Sequence, residues 1–399
     1  MKRSACVLGR SACDVVRMLR QICMLPASGR RSMPGHACTI GALALLVIAR
    51  ASSMAADPDP ERAITRIAMG SCVRQDRPQP IWKAVADYRP DVLLMLGDNI
   101  YGDTADMQVL RRTYASLAAN PGFAAIRNTV PIIAVWDDHD YGGNDAGREY
   151  PMRRASQDVF LDFFGVPADA AVRRQEGIYR AVTAGPPGRR VQFICLDTRY
   201  HRTPLVTLPA DQRKPRGGPY RPTDDLSATV LGAEQVAWFE RVLEEPAEVR
   251  IVLSSIQFAS TGHHWEHWGN FPAERARLLE LIRDSGVGGV IFASGDRHAA
   301  EISRIPAGPE AAAYPLYDLT ASSLNQAMPA GMGDDPNPLR LGPHQRGVNF
   351  GTIDIEWIGD EGAEAAGSRL TLAIRDVTGT IVHAERVRLA DLSPAVVKP

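Results

Sequence analysis

The chain has 399 residues, 45% hydrophobic and 23% charged, with a formal net charge of −1. That length and apolar content suffice for a large buried core, and the near-neutral balance excludes a domain built as a polybasic surface for nucleic acid or anionic membrane. Lys occurs only at 2, 83, 214 and 398, so the basic side is almost all Arg; this suits bidentate phosphate recognition but equally follows from genome composition.

Residues 1–56 do not pattern as part of a folded domain. Arg20, Arg30 and Arg31 precede an apolar run over 40–48, and Ser53-Met54-Ala55 supplies small residues for cleavage. This is the order of a secretory signal. The run falls short of the ~20 residues of a membrane helix, so no stable span is expected after its removal. A periplasmic or secreted mature chain is expected from about Asp57. Met33 is an alternative start, and Arg30-Arg31 an alternative twin-arginine signal. Cys6, Cys13, Cys23 and Cys38 fall in this leader, leaving Cys72 and Cys195, too few for a disulfide framework.

From residue 57 the chain alternates strand and helix. The spacing predicts helices over 80–88, over 107–119 with Met107, Leu110, Tyr114 and Leu117 on one face, and over 153–164, closed by Gly165-Val166-Pro167. Residues 177–184 and 191–200 read as strands joined through Gly185-Pro186-Pro187-Gly188, with Cys195 a buried hydrophobe. The Pro- and Gly-rich stretch 202–225 is expected as a long surface loop over the active face. Then follow a helix over 231–244, a strand over 249–258, a helix over 272–284 and strands over 287–293 and 315–321. Residues 328–347 are expected to be irregular, and 349–357 with 369–389 to form a terminal antiparallel pair. The fold class is α/β, two sheets packed together with helices outside, in one domain over 57–399.

Four apolar strands end in chemistry. Val92 to Leu96 stops at Gly97-Asp98; Ile67 to Met69 leads into Gly70-Ser71-Cys72; Pro131 to Trp136 leads into Asp137-Asp138-His139-Asp140; Val290 to Ala293 leads into Ser294-Gly295-Asp296-Arg297-His298. Carboxyl ends of parallel strands open onto the ligand crevice of α/β sheets. Carboxylates, imidazoles and a thiol converging there are the ingredients of a metal site, and Cys72, Asp98, Tyr101, Asp138, Asn144, Asp296 and His298 offer ligands for two positions. A two-metal site lowers the pKa of a bound water and steadies both oxygens of an in-line displacement at phosphorus. A phenolate ligand at Tyr101 points to a strong Lewis acid such as trivalent iron, and the all-oxygen side to a hard divalent ion such as calcium.

The motifs G-S-C-V-R-Q (70–75), G-D-N-I-Y (97–101), W-D-D-H-D-Y-G-G-N-D (136–145), L-D-T-R (196–199), S-G-D-R-H (294–298) and L-T-A-S-S (319–323) resemble the alkaline phosphatase D, or PhoD-like, family of metallophosphoesterases over about residues 64–358. The resemblance implies a four-layer αββα sandwich of the calcineurin type. It also implies hydrolysis of phosphate mono- or diesters at a binuclear iron and calcium centre. Cys72, Asp98 and Tyr101 would hold the iron; Asp98, Asp296, His298 and Asn144 would lie at the calcium side. There are two departures. Longer members carry an all-β domain ahead of the catalytic one, and the usual Gly-Asn-His is here Asp137-Asp138-His139, leaving open whether Asp138 or Asn144 fills the Asn's role.

Each residue also has a structural reading. Asp98 and Asp296 can be turn or helix caps, Tyr101 an aromatic packed on its loop, and His139 either a group that protonates the leaving group or binds the phosphoryl oxygens, or a structural imidazole bonded to Asp137. Arg74 and Arg297 are candidates to clamp a phosphate, and Asp197 with Arg199 to form an internal ion pair. The cluster His263-His264-Trp265-Glu266-His267-Trp268 is expected to pack around a loop over the cleft. The expected substrate is a small phosphate ester, with phosphodiesters of nucleotides, phospholipid headgroups or teichoic-acid-like polymers as variants. A noncatalytic exported protein that only binds metal or phosphate is the alternative.

Overall fold

The computed structural model describes residues 57–215, 217–330, 335–359 and 367–394, so the expected leader and its cleavage site lie outside the described residues. The five apolar residues of β2 (Val92–Leu96) are buried on both faces. Parallel β1 (Arg66–Gly70) and β3 (Ile132–Val135) flank it, with Gly70 opposite Met95 and Leu96 opposite Val135, so all three strands end at one level. β13 (Asn349–Glu356), β14 (Arg369–Asp376) and β15 (Ile381–Arg388) extend this sheet antiparallel, in the order β15-β14-β13-β1-β2-β3.

The second sheet has a parallel centre of β5 (Val191–Cys195), β8 (Val249–Leu253), β9 (Val290–Ser294) and β11 (Leu316–Ala321). Antiparallel β4 (Arg180–Ala184), β10 (Ala300–Ile305) and β12 (Arg340–Gln345) complete the order β12-β10-β11-β9-β8-β5-β4. β10 and β11 pack against β13 and β14, and β3 meets β5, which closes one apolar core between the sheets.

Helices connect the parallel strands, as crossovers require. α1 (Ile81–Tyr88), α2 (Met107–Ala118) and α3 (Pro121–Arg127) serve the first sheet. The single turn α4 (Asp138–Tyr141) and α5 (Arg153–Phe163) follow β3, and α6 (Gly232–Leu243) and α7 (Pro272–Asp284) serve the second sheet. The architecture is the expected α/β sandwich.

Several expectations need correction. The stretch expected to be irregular, 328–347, contains β12, whose Gly342 and Pro343 read as breakers; a proline is tolerated there because β12 is an edge strand. The single strand expected over 369–389 is a hairpin, β14 and β15, turned where Asp376 Oδ1 accepts from the N–H groups of Thr378 and Thr380. β10 and α3 were not expected at all. α3 begins at an Asn120-Pro121-Gly122 triplet that resembles a stop, yet Asn120 Oδ1 accepts from the N–H groups of Gly122 and Phe123 and Pro121 occupies the first turn, a helix start. The expected surface loop 202–225 begins on buried Arg202 and holds a two-stranded ribbon, β6 (Val206–Thr207) with β7 (Tyr220–Arg221).

Candidate metal centre

The level strand ends place their following residues side by side. A Cβ on Gly97 would lie 2.5 Å from the Cβ of Asp137 in its own sheet and 3.0 Å from that of Ser255 beyond β8 of the other, and one on Gly295 would lie 2.6 Å from Ser71 Oγ and 2.9 Å from the carbonyl oxygen of Leu96. The Gly-Asp pairs therefore let the two sheets' ends touch. Immediately beyond, Cys72, Asp98, Asp296 and His298 have φ of 60°, 48°, 68° and 55°. The left-handed region costs a non-glycine residue about 1–3 kcal/mol when strained in this way. Four such residues converging on one point are held there by the surrounding fold, a pattern that marks functional sites.

One ligand-type atom each from Cys72, Asp98 and His298 lies within 4.8 Å of the others, and Asp98, Asp138 and His139 form a second group by the same measure. Asp98 belongs to both. The Tyr101 hydroxyl sits 2.9 Å from His298 Nε2, and Cys72 Sγ 3.4 Å from Asp98 Oδ2. Asp98, Asp138, His139, Asn144, Asp296, Arg297 and His298 line a cavity of about 210 Å³ together with Asp145, Trp265, Glu266, Met328 and Pro329. Asn144 is exposed on its rim and donates to Asp145 Oδ2 at 2.7 Å. Arg74 is not among the lining residues; its guanidinium binds Asp76 and lies 5.0 Å from the Tyr101 ring centroid. Arg297 is pinned by Asp335 at 2.7 Å and stacked on the Trp265 ring at 5.0 Å.

Electrostatics show what the cluster lacks. Burial and then the neighbouring Cys72, Asp138 and Asp137 push the Asp98 carboxyl well above the ordinary range. Burial raises Asp296 likewise, outweighing Arg297, with Asp137 and Asp138 adding to the rise. Burial drives the Cys72 thiol up to about 11 and, helped by Arg297, the His298 imidazole down to about 4. Asp98 Oδ1 is buried with no hydrogen-bond partner among the described residues. A cation would supply the missing partner, bring the raised Asp98, Asp296 and Cys72 back down, and favour the neutral His298 imidazole that burial already imposes. The donor set of thiol, phenol, imidazole and carboxylates therefore fits a metal.

His139 and Asp138 are the exception. Burial opposes charge on both, yet the Asp103 carboxylate, 2.7 Å from His139 Nδ1, and Asp138 raise His139 to about 9. Arg199 and His139, with the Asp145 N–H, bring Asp138 down to about 2. Beneath them lies a buried charge network: Arg199 binds Asp137 (Nε to Oδ1, 2.6 Å) and Glu266 (2.7 Å), and Arg202 binds the other oxygen of Glu266 (2.9 Å). This corrects the expected ion pair. Asp197 takes no side-chain bond from Arg199; it accepts from Trp136 Nε1 and from the N–H groups of Ile178, Arg199 and Tyr200. In the His-Trp cluster, His263, Glu266, His267 and Trp268 are buried and Trp265 reaches the cavity, with neither His263 nor His267 in a ligand grouping among the described residues. Asp103, Asp145 and Trp265 were not singled out as site residues from the sequence. Asp103 had a signal, a second Gly-Asp directly after Tyr101; Trp265 had none beyond its cluster.

Two packed sheets with helices outside, delivering metal-ligand side chains to one edge, define the metallophosphoesterase class. The sequence profile of the PhoD-like phosphatases matches residues 67–337, and the chain belongs to that family. It is 23% identical to alkaline phosphatase D of Bacillus subtilis (strain 168) in an alignment 264 residues long that covers 56% of this chain and 44% of that protein, so it spans less than half of that relative. Among solved structures it is similar to PhoD (TM-score 0.62, 19% identity, 84% of this chain and 70% of that one). It is also similar to purple acid phosphatase PPD1 from yellow lupin seeds (0.54, 14%, 83% and 55%). GAP50 of Plasmodium follows (0.51, 13%, 82% and 89%). At these identities the structural likeness establishes the fold. No helix among the described residues is long and apolar enough to cross a membrane.

Proposed function

We propose that the chain is an exported, metal-dependent phosphoric ester hydrolase whose catalytic domain runs from about Asp57. Fold alone does not carry this, since GAP50, described as an anchor in the Plasmodium inner membrane complex, shares it. The observation that carries it is the convergence on Asp98 of Cys72 and His298 on one side and of Asp138, with the His139 imidazole beside it, on the other. Cys72, Asp98 and Tyr101 suit trivalent iron, the oxygen donors of Asp98, Asp296 and Asp138 or Asn144 suit calcium, and His298, expected at the calcium side, groups instead with Cys72 and Asp98. Bound there, such ions supply an activated water and neutralise charge on the phosphoryl oxygens.

The chain's own residues do the rest. Asp98, with one oxygen to spare, spans the two ligand groups. His139, kept cationic by Asp103 and Asp138, is placed to bind a phosphoryl oxygen or to give its Nε2 proton to the leaving oxygen. Trp265, Met328 and Pro329 form the apolar part of the wall, against which the organic group of a small ester rests. Arg297 holds the Trp265 ring and adds positive potential, while its pairing with Asp335 limits how far it reaches.

The test is hydrolysis of p-nitrophenyl phosphate and bis(p-nitrophenyl) phosphate by purified protein, with elemental analysis before and after chelation. Turnover that falls with the metal and returns with it is expected. Metal-replete protein inert toward both esters and toward a panel of natural mono- and diesters would leave the noncatalytic binding alternative. A second prediction concerns the dyad: Asp103→Asn should lower kcat by about 10- to 100-fold, a part of the roughly 10²–10⁴-fold that general acid–base assistance supplies, since His139 keeps Asp138 beside it. KM should change little, and the loss should be larger for alkyl than for p-nitrophenyl leaving groups. Equal losses for both would remove His139 from proton donation.

A further inference from the structure

The β6–β7 ribbon belongs to neither large sheet, yet one of its residues meets both sides of the cavity. The Tyr220 hydroxyl donates to Asp145 Oδ2 at 2.6 Å. The Tyr220 N–H donates to the carbonyl oxygen of His264 at 2.8 Å, and His264 Nδ1 donates back to the Tyr220 carbonyl oxygen at 3.0 Å. His264 directly precedes Trp265 and Glu266 on the cavity wall. Two residues earlier the ribbon lies flat on that same segment: a Cβ on Gly218 would stand 2.0 Å from the carbonyl carbon of His264 and 2.2 Å from the Trp265 nitrogen. The contact is therefore close-packed backbone on backbone, which only glycine permits.

Asp145 connects this strut to the metal side. Its φ is +54°, and in that conformation its N–H donates to Asp138 Oδ2 at 2.6 Å. The other Asp138 oxygen accepts from the His139 N–H at 2.9 Å. Asp138 is thus oriented by two main-chain donors, one on a residue in the left-handed region. What keeps Asp145 there is its side chain, which receives the Tyr220 hydroxyl and the Asn144 amide, and its carbonyl oxygen, which receives Arg202.

We propose that Tyr220 is a positioning residue for the metal centre: by fixing Asp145 it aims Asp138, and by its backbone pair with His264 it holds the Trp265 wall at a set distance from that carboxylate. The proposal rests on the hydrolase function stated above and goes beyond it in assigning a role to the ribbon. Partners that orient a ligand from behind typically control metal affinity by about 10- to 100-fold when removed.

The experiment titrates calcium alone into the full chain after chelation, by calorimetry and by the calcium dependence of the thermal midpoint. Tyr220→Phe, which keeps the ring and the backbone pair and loses only the hydroxyl, is expected to weaken calcium binding about tenfold. In an Asp145→Ala background the same change is expected to add nothing, because the two act in series. Calcium affinity within twofold of the parent in Tyr220→Phe overturns the proposal. So does an undiminished effect in the Asp145→Ala background. A parent chain that binds calcium while hydrolysing no ester removes the hydrolase function and leaves the positioning role to the same titration. A parent chain that takes up no calcium overturns the positioning role, whatever its activity.

Discussion

Asp98→Asn is expected to lower kcat/KM for phosphate esters by about a thousandfold, ~4 kcal/mol of transition-state stabilisation, without loss of the fold. Asp98 is the one residue common to both ligand groupings, and its Oδ1 is buried with no partner among the described residues. An amide at that position fits the left-handed backbone, which Asn favours, but brings no charge to share between two cations. Elemental analysis should show loss of metal together with the loss of rate. Stability should move the other way. In chelated protein the carboxylate is penalised by burial and by Cys72, Asp138 and Asp137 around it; the neutral amide removes that penalty, so the chelated variant should unfold at the same temperature as the chelated parent or higher. With metal present the order reverses, because only the parent gains binding energy, about 2.7 kcal/mol at a hundredfold excess over Kd. Circular-dichroism melts with and without chelator measure both. A chelated variant less stable than its parent would make Asp98 a structural cap, and full activity would remove it from the centre.

That opposition between function and stability explains what could be read from the chain. A run such as Val92 to Leu96 is buried on both faces, so nothing in local packing asks for a carboxylate at its end; Gly97-Asp98 stands out because it breaks the local rule. The same holds for Gly295-Asp296 and for the triplet Asp137-Asp138-His139. Tertiary pairings leave no such mark. Arg199 meets Asp137 and Glu266 across 62 and 67 residues, and with 41 Arg in the chain no spacing singles this one out. The carboxylate nearer in sequence, Asp197, turns back to satisfy main-chain donors of its own turn. Tyr220 was equally hidden, since it lies in a Pro- and Gly-rich stretch whose composition signals only a loop. β12 was missed for the converse reason: its breakers are real, and an edge position accommodates them.

Arg199→Met is expected to cost about 3–5 kcal/mol of folding stability, the usual result of removing one partner from a buried charge pair. Arg199, Asp137 and Glu266 are each essentially inaccessible to solvent. Asp137 is already raised to about 7 by burial even with Arg199 pulling against it. Methionine matches the stem of the side chain but leaves two carboxyl groups with one fewer cation between them; Arg202, on the far oxygen of Glu266, does not reach Asp137 by any contact in the structure. The loss should appear as a lower guanidinium midpoint with an unchanged slope. Neutralising the acids at the same time tests the cause. A triple variant, Arg199→Met with Asp137→Asn and Glu266→Gln, should recover a large part of the stability, because no buried carboxylate is then left without its cation. It should not recover activity. Without the Arg199 charge, Asp138 loses the main attraction holding its carboxyl at about 2, and the loop carrying Trp265 loses its ionic anchor. A single variant within 1 kcal/mol of the parent, or a triple variant no better than the single, would show that packing of the Arg199 stem, and not its charge, ties the cavity floor to the strand ends.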